Sequence, residues 1–462
     1  MIEEPVVARV LTAALRSGGD FAEVFAEDRR SSSARLDDGR VEELTSGRDR
    51  GAGIRVVRGE TTGFAHTSDL SEAGLLAAAE AAGAAARGGG QGVREVALSA
   101  PRPQRPSRAQ VLPEDVPKER KVDLLKRAED AARAEDGAVR QVAVTYGDGR
   151  RRFLVANSDG LVAGEDQVRT RLSVSVVAGG DGTLQTGYET AGGTVGFEIY
   201  DRVDVEGVAR VAARRAADLL KARPAPSGQV PVVLRKGAGG ILFHEACGHG
   251  LESDLVGKDA SVFRGKVGEQ VASPLVTLVD DGSYVDEWGS YGIDDEGHPA
   301  QRNVLIEDGR LTDYMWDFLR ARKEGRGSSG NGRRQGYQHL PMVRMTNTYV
   351  LAGTEDPDEI IRQTPYGVYC VQLGGGQVNT ATGDFVFGMT EAYLIENGVV
   401  TAPLRSANLI GNGPEVLRSI DAMGNDFETW AGTCGKDGQG VPVSSGQATL
   451  RVSSMTVGGT GG

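Results

Sequence analysis

The sequence predicts an α+β protein in two parts. Helices packed on antiparallel strands fill residues 1–225, and a β-rich part over 226–462 carries one inserted helix near its start. Three observations lead there. Stretches with apolar residues at three- and four-residue spacing fall almost entirely before residue 222. Alternating apolar runs punctuated by Asp-Gly and other glycine turns dominate the remainder of the chain. The break between the two is "RPAPSGQ" at 223–229, a proline-rich segment after a long helical stretch. A chain of 462 residues has ample length for two or three domains with real cores.

In order, "PVVARVLTAALRSG" predicts a first helix stopped by Gly-Gly. "FAEVFAEDRRSSSARLDDGRVEEL" and "GAGIRVVRGETTGFAHT" read as hairpin strands turning at Asp38-Gly39 and Gly59-Glu60. "LSEAGLLAAAEAAGAAARGGG" is an Ala-rich helix closed by three glycines, and residues 90–116 form an irregular connection. A third helix, "PKERKVDLLKRAEDAARAED", leads into hairpins from "QVAVTYGDGRRRFLVANSDG" to "LQTGYET"; "VDVEGVARVAARRAADLLKA" is the fourth. The order helix–strands–helix thus occurs twice, although the residues of the two halves do not align convincingly. Beyond 229, strands are expected at "VPVVLRK", "PLVTLVDD", "RNVLIEDGRL", "GVYCVQLGGGQVNTATGDFVFGMTEAYLIENGVV" and "QATLRVSSMTVGG", with helical stretches at "DYMWDFLRARKEG" and "PEVLRSIDAMG".

Composition narrows the function. A net charge of −12 without a long basic stripe argues against nucleic acid and anionic membranes as partners. The short cluster "GRRQ" around Arg333 and Arg334 reads as a solvated loop. No apolar run approaches the ~18–20 residues that span a bilayer. The start carries two glutamates where a targeting peptide needs positive charge. Three scattered cysteines suit reduced thiols, so a cytoplasmic location is expected. Glycine, at 66 of 462, is about twice as frequent as usual, which points to many tight turns.

The stretch that carries chemistry is "GGILFHEACGHGLESD", which holds two of the five histidines with Glu245 beside the first. Zinc-protease helices place histidines at i and i+4, about 40° apart around the helix, whereas His244 and His249 at i and i+5 diverge by roughly 140°. A shared metal therefore requires the helix to end or widen. Gly248 and Gly250 offer the freedom, and a π-type turn would bring i and i+5 onto one face. A catalytic zinc takes three protein ligands. Nearby candidates for the third are Glu252, Asp254 and Cys247; distant ones are His298, His339, Cys370 and Cys434. Cys247 and Cys370 read as packed apolar groups, and Cys434 lies in a glycine-rich turn, "WAGTCGKDGQG", where a thiolate can face a site. Spacing alone does not choose among them.

The segments "HEACGHGLESD", "YGIDDEGHPAQRNVLIEDG", "NGRRQGYQHLPMVRMTNTY", "LGGGQVNTATGDFVFGMTEAYLIENG" and "CGKDGQGVPVSSGQATLRVSSMTVGGT" together resemble the TldD/PmbA metalloprotease family, on its TldD branch. The resemblance covers nearly the whole chain. It implies a zinc peptidase with an H-E-x-x-x-H motif, in which His244, His249 and Cys434 hold Zn2+ and Glu245 is the general base. It also implies a dimer, either with a PmbA/TldE-like paralogue that lacks the metal motif or with a second copy.

Two neutral imidazoles and a thiolate leave the zinc less electrophilic than three histidines would, so a donor to the reaction's oxyanion gains importance. His339 and Tyr337 in "GYQHLPM" are the candidates. "DDEG" at 294–297 reads as a solvated turn rather than a second cation site, and "LGGGQ" lacks the lysine of a phosphate loop. Glycine-lined "LGGGQVNTATG" and "CGKDGQG" offer backbone to which an extended peptide could add as a strand. Short or unfolded peptides are therefore the expected substrate. The rival reading is a non-catalytic binding or regulatory protein with a structural metal held by four protein ligands.

Overall fold

The structure, a computed structural model, describes residues 2–86, 95–102 and 104–459. It is α+β. The first part runs α1 (Glu4–Leu15), β1 (Phe21–Asp37), β2 (Arg40–Arg58), β3 (Thr61–Thr67), α2 (Glu72–Ala85), β4 (Ala100–Pro101), α3 (Lys118–Glu135), β5 (Val139–Asn157), β6 (Leu161–Gly180), β7 (Thr183–Gly193) and α4 (Val205–Leu220). The three glycines expected to close α2 lie outside the described residues.

Apart from short β4, this is one α-β-β-β-α unit written twice. The strands form one sheet in the order β3-β2-β1-β5-β6, with β7 and β4 both on β6. The units abut through their first strands, β1 antiparallel to β5. Asp38–Gly39 and Asp181–Gly182 both turn with positive φ at each residue, the conformation that suits the twist of two-residue hairpins. The kinship absent from the residue alignment shows in packing. Gly63 of β3 lies under Ala82 of α2 and Ala86, the residue that caps it, where a Cβ would fall 2.1 Å from the Ala82 carbonyl oxygen. Gly187 of β7 repeats the arrangement under Ala212 and Ala216 of α4, at 2.0 Å from the Ala212 oxygen. In both units a strand glycine and two helical alanines let helix and sheet approach closely.

Residues of even number along β1 share one face, because side chains alternate along a strand. Ala22, Val24 and Ala26 lie under α1 and α2, and Ala34 and Leu36 under α3 and α4. All four helices therefore cover one face of the sheet. The other face meets the second part of the chain.

That second part contains two larger sheets. In one, strands pair in the order 366–378, 228–234, 450–459, 407–412, 384–396, and the pairing of 366–378 with 384–396 closes these five into a ring. The other runs 310–311, 302–307, 278–281, 347–350, 439–447, 428–436. The inserted segment after strand 228–234 joins the main core through Leu242, Phe243, Cys247 and Leu251, alongside Leu278 and Val350 of one sheet and Val368 and Phe387 of the other. The two later helical expectations shrink. Only Phe318–Lys323 and Gly413–Arg418 are helical, and Ile420–Met423 pairs as a strand with 450–452. Among the described residues no helix is long and apolar enough to cross a membrane.

The seam between the parts corrects two expectations. "DDEG" is not a solvated turn and "GRRQ" is not a solvated loop: Asp294, Asp295, Glu296, Arg333 and Arg334 are all buried. Arg55 pairs with Glu23 at 2.7 Å and Glu296 at 2.8 Å, Arg334 with Glu23 at 2.5 Å, and Arg151 with Glu27 at 2.8 Å and Asp295 at 2.7 Å. The Arg334 guanidinium also lies 4.3 Å from the ring centre of Phe25. Burying these paired charges is tolerated because each has an opposite partner, and Arg55–Glu296, Arg334–Glu23 and Arg151–Asp295 cross the seam.

Candidate metal centre

The chain enters the site through a succession of helix types. A 3-10 turn at Ala238–Gly240 gives way to an α-turn at Ile241–Phe243, a π-turn at His244–Gly248 and a second 3-10 turn at His249–Leu251; Glu252 is extended. The widening that the five-residue histidine spacing demands is thus a π-turn that begins at the first histidine. Gly248 serves it in a way unlike the one expected. Its backbone, φ −54 and ψ −52, is ordinary helix, but a Cβ there would lie 2.2 Å from the Met345 sulfur. Close packing against Met345, not backbone freedom, favours glycine at this position.

The π-turn sets the two imidazoles edge to face with centres 5.1 Å apart. Cys434 arrives from the hairpin 428–436/439–447. It sits within a strand and is buried, not exposed on a turn as its glycines suggested; the turn itself is Asp437–Gly438. The ligand atoms of His244, His249 and Cys434 all lie within 4.8 Å of one another, and Cys434 Sγ is 3.4 Å from His249 Nε2.

The remaining local acids do not join this group. Glu252 Oε2 lies 2.9 Å from His249 Nδ1 and accepts from Lys436 Nζ at the same distance. Asp254 accepts from Lys436 Nζ at 2.8 Å. Lys436 stands two residues after Cys434 and so projects from the same face of the strand. Lys436, Glu252, His249 and Cys434 therefore form one chain of contacts that locks strand to turn. Arg344 adds to it, donating to the carbonyl oxygens of Cys434 at 2.5 Å and Gln439 at 3.2 Å.

Burial disfavours charge on Glu252, but His249 and Lys436 outweigh it and hold its pKa at about 2. Burial likewise opposes the Cys434 thiolate, and the neighbouring His244 and His249 reverse that, drawing its pKa well below the usual thiol range. Burial opposes charge on His249 as well, but Glu252 and Cys434 raise its pKa well above the usual imidazole range. The ionised Glu252 can only accept, so His249 donates from Nδ1 and turns Nε2 toward Cys434, where a metal would displace the Nε2 proton. A carboxylate–histidine pair of this kind orients imidazoles that bind metals. His244 Nδ1 is buried without a hydrogen-bond partner among the described residues. Two imidazoles and one thiolate, all buried and converging, suit zinc by donor type. Glu245 stands at the edge, its side chain 25% exposed and its Oε2 3.7 Å from His249 Nε2.

The other candidates lie elsewhere. Cys247 bonds the Phe243 carbonyl at 2.9 Å, and burial pushes its pKa up to about 12; Cys370 is buried in strand 366–378. His298 stacks on Phe318. The Tyr337 hydroxyl donates to Asp49 of β2 at 3.3 Å, and its ring packs with Phe25 at the seam. His339 holds a turn through its amide, which donates to the Gly336 carbonyl, and its buried Nδ1 has no hydrogen-bond partner among the described residues. Neither Tyr337 nor His339 bonds His244, His249 or Cys434 among the described residues. Lys436 went unread in the sequence, although the Asp-Gly turn after it implies a strand in which residues 434 and 436 share a face.

The geometry has counterparts. Residues 227–459 match the PmbA/TldA metallopeptidase C-terminal domain, 112–220 the central domain and 22–86 domain 1 of the same family. A metalloprotease TldD homolog of Haemophilus influenzae is 43% identical over 96% of this chain and 93% of its own length. A metalloprotease of Methanothermobacter thermautotrophicus is 38% identical over 96% of each. Among solved structures, TldE from Thermococcus kodakarensis superposes with a TM-score of 0.79 at 20% identity, covering 98% of this chain and all of TldE. A proposed modulator of DNA gyrase from Thermotoga maritima gives 0.80 at 23%, with the same coverage; at such identities these two speak to the fold alone. With matches running from domain 1 to the C-terminal domain and relatives aligned over nearly its full length, this chain belongs to the PmbA/TldD metallopeptidase family.

Proposed function

We propose that this chain is a zinc-dependent peptidase of short or unfolded peptides, working as a dimer with a TldE-like partner or a second copy. The observation that carries the reading is the convergence of His244, His249 and Cys434 within 4.8 Å, with Glu245 beside them. These three would hold the metal. When bound, zinc supplies Lewis-acid polarisation of a peptide carbonyl and of water. Glu245 accepts the proton of the attacking water at its carboxylate and returns it to the leaving amide nitrogen. Glu252 keeps the Nδ1 proton of His249 in place throughout, and Lys436 holds Glu252 ionised.

Only three residues form the metal-ligating group among the described residues, which favours the enzyme over a structural metal with four protein ligands. Strand 428–436 stands last in the pairing order of its sheet, and a Cβ built at Gly435 would meet nothing within 4 Å. Such an edge supports docking of an extended chain by main-chain hydrogen bonds.

The test compares one protein, folded and permanently unfolded, as substrate for the zinc-loaded chain with and without a co-expressed TldE-like partner. The unfolded form should be cut and the folded form spared. Glu245→Gln should abolish cutting while zinc content stays near wild type. Equal cleavage of both forms, or loss of zinc from Glu245→Gln, would contradict the proposal.

A further inference from the structure

A cavity of ≈ 420 Å³ opens where the face of the first sheet meets the C-terminal part, and the proposed chemistry makes no use of it. Seven of its lining residues are arginines and three are aspartates. The aspartates are already engaged. Asp148 pairs with Lys121, Asp295 with Arg151, and Asp294 accepts from the amides of Glu296, His298 and Gly332. Four of the arginines have no carboxylate partner among the described residues. Arg29 donates to the Gln335 carbonyl; Arg169 to the carbonyls of Trp288 and Ser290 and the side chain of Gln167. Arg171 donates to Thr190 Oγ1 and the Tyr188 hydroxyl, and Arg333 to the carbonyls of Met345 and Pro442.

Neutral acceptors fix these guanidinium groups without cancelling their charge. Burial, and then Arg333 and Arg151 nearby, pull the Arg169 pKa down to about 9, although Glu165 and Asp295 at longer range oppose the shift. Burial and Arg151 lower that of Arg29 as well. Like charges gathered in a partly buried space cost stability unless an anion comes to them. Planar guanidinium forks match carboxylates and phosphates, and a peptide substrate supplies the carboxylate.

The cavity's place suggests where the anion comes from. Its wall includes Thr433 and Gly440, Val441 and Pro442, the hairpin that also carries Cys434. An extended chain advances about 3.3 Å per residue. Thr433 precedes Cys434 along its strand and Val441 pairs with Cys434, so an extended peptide that follows this hairpin past the metal centre also runs along the cavity wall.

The geometry points to a carboxylate-recognition subsite: Arg29, Arg169, Arg171 and Arg333 receive an acidic side chain or the free C-terminus of the peptide substrate. This rests on the peptidase reading for the source of the carboxylate, though not for the anion affinity itself. The zinc-loaded Glu245→Gln protein provides a non-cutting form for binding measurements. Four fluorescent, otherwise identical unstructured peptides separate the sources: glutamate or glutamine at two positions, each with a free or an amidated C-terminus.

Peptides bearing a carboxylate should bind at least about tenfold more tightly than the carboxylate-free one, and the advantage should shrink with added salt. Glutamate with an amidated end against glutamine with a free end identifies which carboxylate is read. Adding Arg29→Gln or Arg171→Gln, both at incompletely buried positions, should remove most of the advantage while zinc content, the check on folding, is kept. Equal affinity for all four peptides, or an advantage that survives both substitutions, overturns the subsite. So does displacement by inorganic phosphate but not by glutarate. Cleavage by the unsubstituted chain keeps the two readings apart. If all four peptides are cut and bound alike, the subsite fails and the peptidase stands; if arginine-dependent binding occurs with none cut, the reverse holds.

Discussion

Around His249 each buried charge meets its opposite within a hydrogen bond: Lys436 on Glu252 and Asp254, Glu252 on His249, the Cys434 thiolate on the imidazoles. The seam between the two parts of the chain is just as deeply charged but divides in two. Its core, Arg55, Arg151 and Arg334 with Glu23, Glu27, Asp295 and Glu296, is paired, while the cavity beside it keeps arginines held only by neutral oxygens. Pairing marks where charge holds the protein together. Charge held only by neutral oxygens marks where an anion could arrive.

The comparison can be broken from either side. Arg334→Ala removes one partner of a buried pair and leaves Glu23 with Arg55 alone, so it should cost about 3 kcal/mol in urea unfolding. Zinc affinity of the folded fraction should stay unchanged. A parallel loss of zinc would mean that the seam and the metal centre are one cooperative unit.

Glu252→Gln should do the opposite. Replacing the carboxylate that orients His249 with a neutral amide should weaken zinc binding roughly 10- to 100-fold in a chelator competition, with little effect on the seam. Undiminished affinity would show that Lys436 and Arg344 suffice to hold the ligands.

The smallest effect sharpens the picture at one residue. Burial, and then Glu296 nearby, push the Asp317 carboxyl up to about 7. A carboxyl raised in the folded state binds more protons there than in the unfolded chain between about pH 4 and 7, so its contribution to stability falls as pH rises through that window and levels off above it. Asp317 caps helix 318–323 by accepting from the Arg320 amide, a role asparagine also fills. Asp317→Asn should therefore fold normally and flatten that part of the stability–pH curve. An unchanged slope would assign it to other groups.

What the sequence made legible was local. The π-turn is implied by an i, i+5 histidine pair that must share one metal, and the hairpins by Asp-Gly pairs such as Asp38–Gly39 whose positive φ angles the structure contains. The seam was illegible for the opposite reason. Glu23 and Arg334 lie 311 residues apart, and nothing in "GRRQ" or "DDEG" reveals that a distant strand will bury them. Composition alone favours water for such residues, so both segments read as solvated. Cys434 fell between these cases: glycines on both sides imitated an exposed turn, whereas Asp437–Gly438 is the turn and Cys434 belongs to the strand before it.

X-ray absorption at the zinc edge, on the loaded chain and on Glu245→Gln, tests the metal centre most directly. The expected spectrum has one sulfur near ~2.3 Å and two imidazole nitrogens near ~2.0–2.1 Å, with one further light atom from water, and it should be the same in the variant although hydrolysis is lost. A shell without sulfur, a fourth protein ligand, or a spectrum altered by Glu245→Gln would contradict the three-ligand centre with Glu245 as its base.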